Sequence, residues 1–181
     1  GCTTAGEIGP GGYITGGVAA LAFARRDFAA SLRVAPAARG LRVSDAAALA
    51  REMSGALENA LAAHDRPLGR RFGLMLADAD AACEEALAFA FGEALGRDPF
   101  LGGSCGGMDG RPGGGFVLTE AGFAQGAAAV MMLETRCGLT PLRLDGVIAG
   151  ETRMVVTAAD PDGRRVTELN GEPAAEEYAR R

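Results

Sequence analysis

Two glycine-rich segments, each followed by an apolar stretch, constrain the fold of this chain more than any other feature of its sequence. A shift of 101 residues aligns residues 1–6 (GCTTAG) with residues 102–107 (GGSCGG), and small polar residues stand between glycines in both. After nine further residues in the second copy, residues 16–23 align with residues 126–133. A loop and an apolar stretch that recur in the same order indicate an internal repeat.

The segments after each loop have the length and apolar character of β-strands. Residues 16–24 and 27–35 are apolar stretches separated by Arg25 and Arg26, which predicts a β-hairpin. In the second copy, residues 116–120 and 126–134, with a turn at Gly122, predict a second hairpin.

A strand–helix–strand unit is predicted between the two loops. The first helix covers residues 43–64, with Ser44 as its N-cap, and precedes an apolar strand at 72–77. Asp80 can cap a second helix to residue 95 that turns Cys83, Leu87, Ala90 and Ala94 inward, and a strand restarts at 100–102. We therefore expect a right-handed βαβ unit with parallel strands.

These elements together predict an α/β fold built from duplicated helix-strand-helix-strand-hairpin units with a mixed sheet. Within residues 1–140, the repeat covers 1–35 and 43–135. Helix, strand, helix and strand precede the second loop but not the first, so we expect the first unit to be truncated. Residues 141–181 are a separate region, with strands at 153–157 and 165–169, a turn at 160–163 and a helix at 173–180.

The two loops are the candidate ligand-binding site. Ligands bind open α/β sheets beyond the carboxyl ends of parallel strands, and glycines let a ligand approach the backbone closely. Glycine is also common where the chain only needs a tight turn, and that alternative stays open. The candidate residues are Cys2, Thr3, Thr4, Gly6, Glu7, Gly103, Ser104, Cys105, Gly106 and Asp109.

Composition and motif spacing argue against several other functions. The net charge is −5, there is no tryptophan, and all 18 basic residues are arginine, which is unlike a nucleic-acid binder and excludes a phosphate-loop lysine. Apolar stretches such as 124–133 are shorter than the roughly 20 residues that cross a bilayer, so no membrane insertion is expected. The four cysteines form no CxxC pair, which favours reduced thiols in a cytoplasmic protein and offers no metal cluster.

Catalytic alternatives have weaker sequence support. Gly102, Ser104 and Gly106 match the nucleophile-elbow spacing, but the residues that follow are too rich in glycine and proline to form its helix. A cysteine-dependent enzyme would pair Cys2 or Cys105 with the single histidine, His64. We therefore expect a non-enzymatic protein without a metal or cofactor, with haem ligation by His64 as a further alternative.

The opening GCTTAGEIG, the second loop GGSCGG and the closing DGRRVTELNGEPAAEEYA together resemble the FIST domain, a bacterial sensory module. The resemblance implies an amino-terminal FIST half over residues 1–140 and the start of the carboxyl-terminal half over 141–181. It also implies binding of a small ligand, with amino acids proposed, and partners such as histidine kinase or cyclase modules. One branch of the family binds haem and senses nitric oxide, which makes a haem-binding gas sensor the alternative function.

Overall fold

The computed structural model describes residues 1–64, 69–107, 114–143, 146–160 and 164–181 and divides the chain into two compact units. Unit 1 is Gly1–Pro141 and unit 2 is Leu142–Arg181. The strands of unit 1 are β1 (Glu7–Gly9), β2 (Gly12–Ile14), β3 (Phe28–Ala35), β4 (Arg70–Asp78), β5 (Phe100–Cys105), β6 (Val117–Thr119), β7 (Gly122–Ala124) and β8 (Ala128–Thr135). Its helices are α1 (Val43–Leu61) and α2 (Glu84–Leu95).

The core of unit 1 is a mixed sheet in the order β3-β8-β4-β5, so the chain has the predicted α/β class. Strand β8 is antiparallel to both β3 and β4, whereas β4 and β5 are parallel. The apolar run AAVMML makes β8 suitable for a central position, where both faces of a strand are covered.

Both helices pack on one face of this sheet and against each other. Met53 and Leu57 of α1 meet Leu87 and Phe91 of α2 in a single buried cluster. Phe91 also stacks on Phe100 of β5, with ring centroids 5.3 Å apart. Burial of these large apolar side chains fixes α2 against the parallel pair β4–β5, and the prediction of parallel strands in this unit is confirmed.

The predicted helix starts were wrong in detail. Ser44 lies inside α1, whose N-cap is Arg42, and the helix ends at Leu61 rather than His64. Asp80 does not cap α2; it lies in a short 3₁₀ turn, and the N-cap of α2 is Cys83. The Asp78 carboxylate accepts the Asp80 N–H instead, because the chain first turns at the end of β4.

The inward face of α2 is shifted by one position near its end. Cys83, Leu87 and Ala90 are buried as predicted, but Ala94 is exposed and Leu95 is buried in its place. The larger side chain of Leu95 reaches the sheet and gains more from burial than an alanine would.

The first predicted hairpin does not form. β3 matches the prediction for residues 27–35, but residues 17–24 have no strand conformation, and Val18 and Leu21 are 89% and 77% exposed. Instead β3 pairs along its whole length with β8. An apolar stretch becomes a strand only where a neighbouring strand takes up its backbone N–H and C=O groups.

The second predicted hairpin was wrong in its pairing. β6 pairs with the short β7 through a tight turn, and β8 is not its partner. β1 and β2 form a hairpin of the same register, with Gly9 opposite Gly12 as Thr119 is opposite Gly122. The turn glycines Gly12 and Gly122 have φ of +106° and +113°, which residues other than glycine rarely adopt.

Unit 2 contains an antiparallel sheet in the order β11-β10-β9 and a helix. Its elements are β9 (Val156–Asp160), β10 (Arg165–Leu169), β11 (Glu172–Pro173) and α3 (Ala174–Arg180). β9 begins three residues later than predicted, Pro173 is the N-cap of α3, and the predicted turn lies mostly outside the described residues. The Glu177 carboxylate is held by Asn170 and Arg181, and these hydrogen bonds lower its pKa.

None of the helices in the described part of the chain combines the length and apolar character that a membrane crossing requires.

Candidate functional site

The two glycine-rich loops meet at Thr3. The Thr3 N–H donates to the carbonyl oxygen of Phe116 at 2.9 Å, and the Thr3 hydroxyl donates to the carbonyl oxygen of Gly106 at 3.0 Å. The same hydroxyl accepts the N–H of Phe116 at 2.9 Å. Thr3 therefore bridges the two sides of the second loop.

Cys2 and Cys105 come together beside this bridge. Cys2 forms an isolated antiparallel β-bridge with Val117, and its side chain packs against the small buried cluster that contains Cys105 and Val117. Burial raises the pKa of both thiols, that of Cys105 to about 11. Most of each thiol is therefore protonated at neutral pH, and only the small thiolate fraction is nucleophilic.

The remaining polar residues of the first loop bond to one another. The Thr4 hydroxyl donates to Glu7 Oε1 at 2.6 Å, and the N–H of Gly17 donates to Glu7 Oε2 at 3.3 Å. The Tyr13 phenol lies over Gly6, where a Cβ would overlap the ring, and donates to the carbonyl oxygen of Ala5 at 3.2 Å. A side chain at position 6 would therefore have to displace the exposed Tyr13 ring.

Ser104 faces away from the loop junction. Its hydroxyl donates a hydrogen bond to Glu84 at the start of α2. Successive residues of a strand point to opposite faces of the sheet, so Ser104 lies on the helix side and Cys105 on the other. The structure therefore brings Cys2 and Thr3 to Cys105 and Gly106 and leaves the Ser104 side chain on the helix side.

The glycines of the second loop fall into two kinds. Gly102 has φ of +149°, and a Cβ there would overlap the backbone of Met75; a Cβ at Gly115 would lie 2.6 Å from the carbonyl oxygen of Cys105. These two glycines are required by close backbone approach. A Cβ at Gly103 or Gly106 would meet open space among the described residues, and neither has a positive φ.

Asp78 is a residue of this region that the sequence analysis missed. It ends β4, is almost fully buried, and its Oδ2 accepts the N–H of Gly126 at 2.6 Å. Its own N–H donates to the carbonyl oxygen of Ala127 at 2.9 Å. The available signal was a carboxylate directly after an apolar strand, a position where a buried acid needs backbone donors.

His64 lies in a different part of unit 1. It lines a cavity of about 790 Å³ with Phe23, Phe28, Arg25, Arg26 and Arg136, among others. Cysteine is not among the described residues that line this cavity, so His64 shares no site there with Cys2 or Cys105.

A second cavity, of about 720 Å³, lies between Gly1, Leu32, Val34 and Leu118. Among the described residues, neither cavity is lined by the side chains proposed from the two loops. At the loop junction Thr4 and Gly106 are exposed, whereas Cys105 is buried. Asp109, the last candidate, lies outside the described residues.

The described residues contain no group of three or more histidine, cysteine, aspartate or glutamate side chains suited to a metal ion.

Comparison with known proteins gives one match. The family model for the FIST N domain matches residues 1–172. Searches of curated proteins and of solved structures gave no match.

Proposed function

Because the chain belongs to the FIST N domain family, a family of sensory domains in signal transduction, we propose that it binds a small molecule at the junction of its two glycine-rich loops. Binding there would change how loops held by Thr3 and Asp78 are arranged at the end of the sheet. We further propose that signalling proteins such as histidine kinase or cyclase modules receive this change.

The single observation that supports the site is the pair of glycines without a packing role. Gly102 and Gly115 are explained by the fold, whereas Gly103 and Gly106 border open space with ordinary backbone angles. An alanine at either position would add a methyl group without disturbing the described neighbours. A requirement for glycine there would come from a ligand that approaches the backbone.

An amino acid is the ligand class that we propose for this junction. The Glu7 carboxylate accepts hydrogen bonds from Thr4 and Gly17, and a carboxylate has about four lone-pair sites, so it retains capacity for an ammonium group. Thr3 hydrogen-bonds to Gly106, and the adjacent Thr4 hydrogen-bonds to Glu7. These two neighbouring threonines therefore connect the Glu7 carboxylate to Gly106, which borders open space. Backbone N–H groups beside glycines can bind the ligand carboxylate.

A thermal-shift screen of the whole chain against the twenty amino acids tests the proposal. A ligand at 100 times its Kd stabilises the folded state by about 2.7 kcal/mol, which raises the melting temperature by several degrees. Gly106→Leu should fold as the wild type does and lose the shift. Gly55→Ala, at an exposed site in α1 with open space around it, should keep the shift.

Two results would contradict the proposal at different levels. No shift with any amino acid would reject the ligand class. A shift of equal size in wild type and Gly106→Leu would reject the loop junction as the binding site.

A second candidate function, haem binding, is favoured by the cavity beside His64. An imidazole can ligate haem iron, Phe23 and Phe28 give the cavity an apolar wall, and Arg25, Arg26 and Arg136 can pair with carboxylates. The residues that line the cavity therefore fit a haem group with His64 as its protein ligand. Bound haem would supply an iron centre for diatomic gases.

Titration with hemin tests this alternative. A Soret band that appears in the wild type and is lost in His64→Ala would support it, and Ala63→Ser, in the same cavity, should retain the band. If the His64→Ala variant gives the same spectrum as the wild type, His64 is not the ligand.

A further inference from the structure

Cys2 and Cys105 are held side by side by the hydrogen bonds of their neighbours. Thr3, directly after Cys2, donates to the carbonyl oxygen of Gly106, directly after Cys105, at 3.0 Å. The β-bridge between Cys2 and Val117 fixes the backbone on the other side. Each thiol affects the pKa of the other, so the two side chains are close neighbours.

The space around the sulfur atoms is apolar and is kept open by glycine. Cys105 and Val117 belong to a small buried cluster against which Cys2 packs. A Cβ at position 115 would lie 3.0 Å from the Cys105 sulfur, so any larger residue would press on the thiol. Cys2 is half-buried and Cys105 is 5% exposed, which means that an oxidant reaches the pair through Cys2.

The other two cysteines have different environments. Cys83 is fully buried in the helix-side cluster, across the sheet from Cys105, and Cys137 is exposed after the end of β8. The pair is therefore a distinct feature of the loop junction.

We propose that Cys2 and Cys105 form a reversible disulfide that links the two glycine-rich loops when a peroxide oxidises the protein. The fraction of Cys2 that has lost its proton to solvent attacks hydrogen peroxide as the thiolate, which gives the sulfenic acid, and the released hydroxide takes up the proton to give one water molecule. The Cys105 sulfur then attacks the Cys2 sulfur, the S–O bond breaks, and a second water molecule leaves. In total, two thiols and one hydrogen peroxide give one disulfide and two water molecules.

This bond makes the loop junction sensitive to redox state. It would close a loop of roughly a hundred residues, the range in which a cross-link restricts the unfolded chain most strongly. It would also fix by covalent bonding the contact that Thr3 makes by hydrogen bonding. The proposal does not depend on the identity of the ligand, because bond formation can be followed without one.

Peroxide treatment of the fully reduced chain tests the proposal directly. We expect half of the 4 thiols to be lost, the mass to fall by that of two hydrogen atoms, and a digest to contain the Cys2 peptide joined to the Cys105 peptide. A thiol reductant should restore the lost thiols and the original mass and should remove the joined peptide. The oxidised chain should melt at a higher temperature than the reduced chain.

Single variants separate this pair from the other thiols. Cys2→Ser and Cys105→Ser should each prevent the mass loss, whereas Cys137→Ser, at an exposed position, should leave it unchanged. Cys2 is only half-buried, so its serine variant is expected to fold, which circular dichroism checks. Addition of oxygen at Cys2 without a cross-link, or a cross-link through Cys137, would overturn the proposal.

Discussion

The two hairpins of unit 1 have the same local conformation, but the apolar segments that follow them differ completely. Gly12 and Gly122 have similar φ, as do Gly16 and Gly126, at +68° and +66°. After Gly126 the chain continues as β8 in the centre of the sheet, whereas after Gly16 it runs to Ala24 with no strand and with only Phe23 of these residues partly buried. Local sequence sets the hairpin, and neighbouring strands decide whether the next segment joins a sheet.

The end of the second hairpin is anchored by contacts that the first hairpin lacks. Gly126 donates its N–H to Asp78 and its carbonyl oxygen accepts the N–H of Ala38 at 2.6 Å, so both sides of the chain are held as β8 begins. Val117 of β6 is fully buried, but Glu7, its counterpart in β1, is partly exposed. These contacts predict different stabilities for two segments of similar sequence.

Hydrogen exchange should show the largest difference between the two segments. The amides of β8 should open only with global unfolding, which costs about 5–15 kcal/mol in a typical domain, and those of residues 18–24 should exchange almost without protection. Mass spectrometry of peptides that cover each segment measures both. Comparable protection in the two segments would show that residues 18–24 have a stable partner in solution.

Truncation of a leucine in each segment gives the next largest effect. Leu133→Ala removes a fully buried side chain from β8 and should cost about 2–5 kcal/mol of unfolding free energy. Leu21→Ala, at a position 77% exposed, should change it by less than about 0.5 kcal/mol. Urea unfolding of both variants measures the difference, and equal losses would mean that Leu21 is buried in solution.

The turn glycines test whether equal local strain has equal global consequences. Gly122→Ala forces alanine to a φ of +113° and should cost about 1–3 kcal/mol, because β6 packs on the buried sheet. Gly12→Ala strains the backbone equally, but its hairpin can open while the sheet stays folded, so the loss in global stability should be smaller. Urea midpoints of the two variants measure the loss of stability. If Gly12→Ala is as destabilising as Gly122→Ala, the first hairpin does not open independently of the sheet.

The smallest effect concerns the one turn hydroxyl that distinguishes the hairpins. Thr119 donates to the carbonyl oxygen of Gly122 at 2.8 Å and accepts the N–H of Ala121 at 3.2 Å, and its counterpart is Gly9. Thr119→Val keeps the shape, removes both bonds and should cost about 1 kcal/mol. Thermal unfolding measures it, with Thr140→Val, an exposed position after β8, as control. An equal change in both variants would show that the turn hydroxyl contributes nothing specific.

Sequence patterns predicted elements whose signal is local or strongly apolar. The strands at β3, β4 and β8, the helices α1 and α2, and the parallel pairing of β4 with β5 followed from apolar runs and their spacing. Helix starts were less predictable, because Ser44 and Asp80 are both good caps and the chain uses neither. Strand pairing was the weakest point, since a hairpin between adjacent apolar runs competes with pairing between distant ones.

The sequence predicted that the two glycine-rich loops lie close together and predicted only in part how their side chains point. Alignment of the two loops placed Cys2 and Thr3 near Cys105 and Gly106, and Thr3 does bridge the two loops. The sequence did not predict that the Ser104 side chain points to the helix side, because this depends on which face of β5 packs against α2. The role of Asp78 depends on a partner, Gly126, 48 residues away in the chain.

The sequence by itself determined the turns and the apolar segments, because positive φ at glycine and burial of apolar side chains are properties of single residues and their near neighbours. Only the tertiary structure decided that residues 128–135 form a central strand while residues 18–24 form no strand. It also decided which glycines the packing requires and which it leaves beside open space. Backbone hydrogen bonds and close contacts between distant segments determine these outcomes, and no local pattern encodes where the partner will lie.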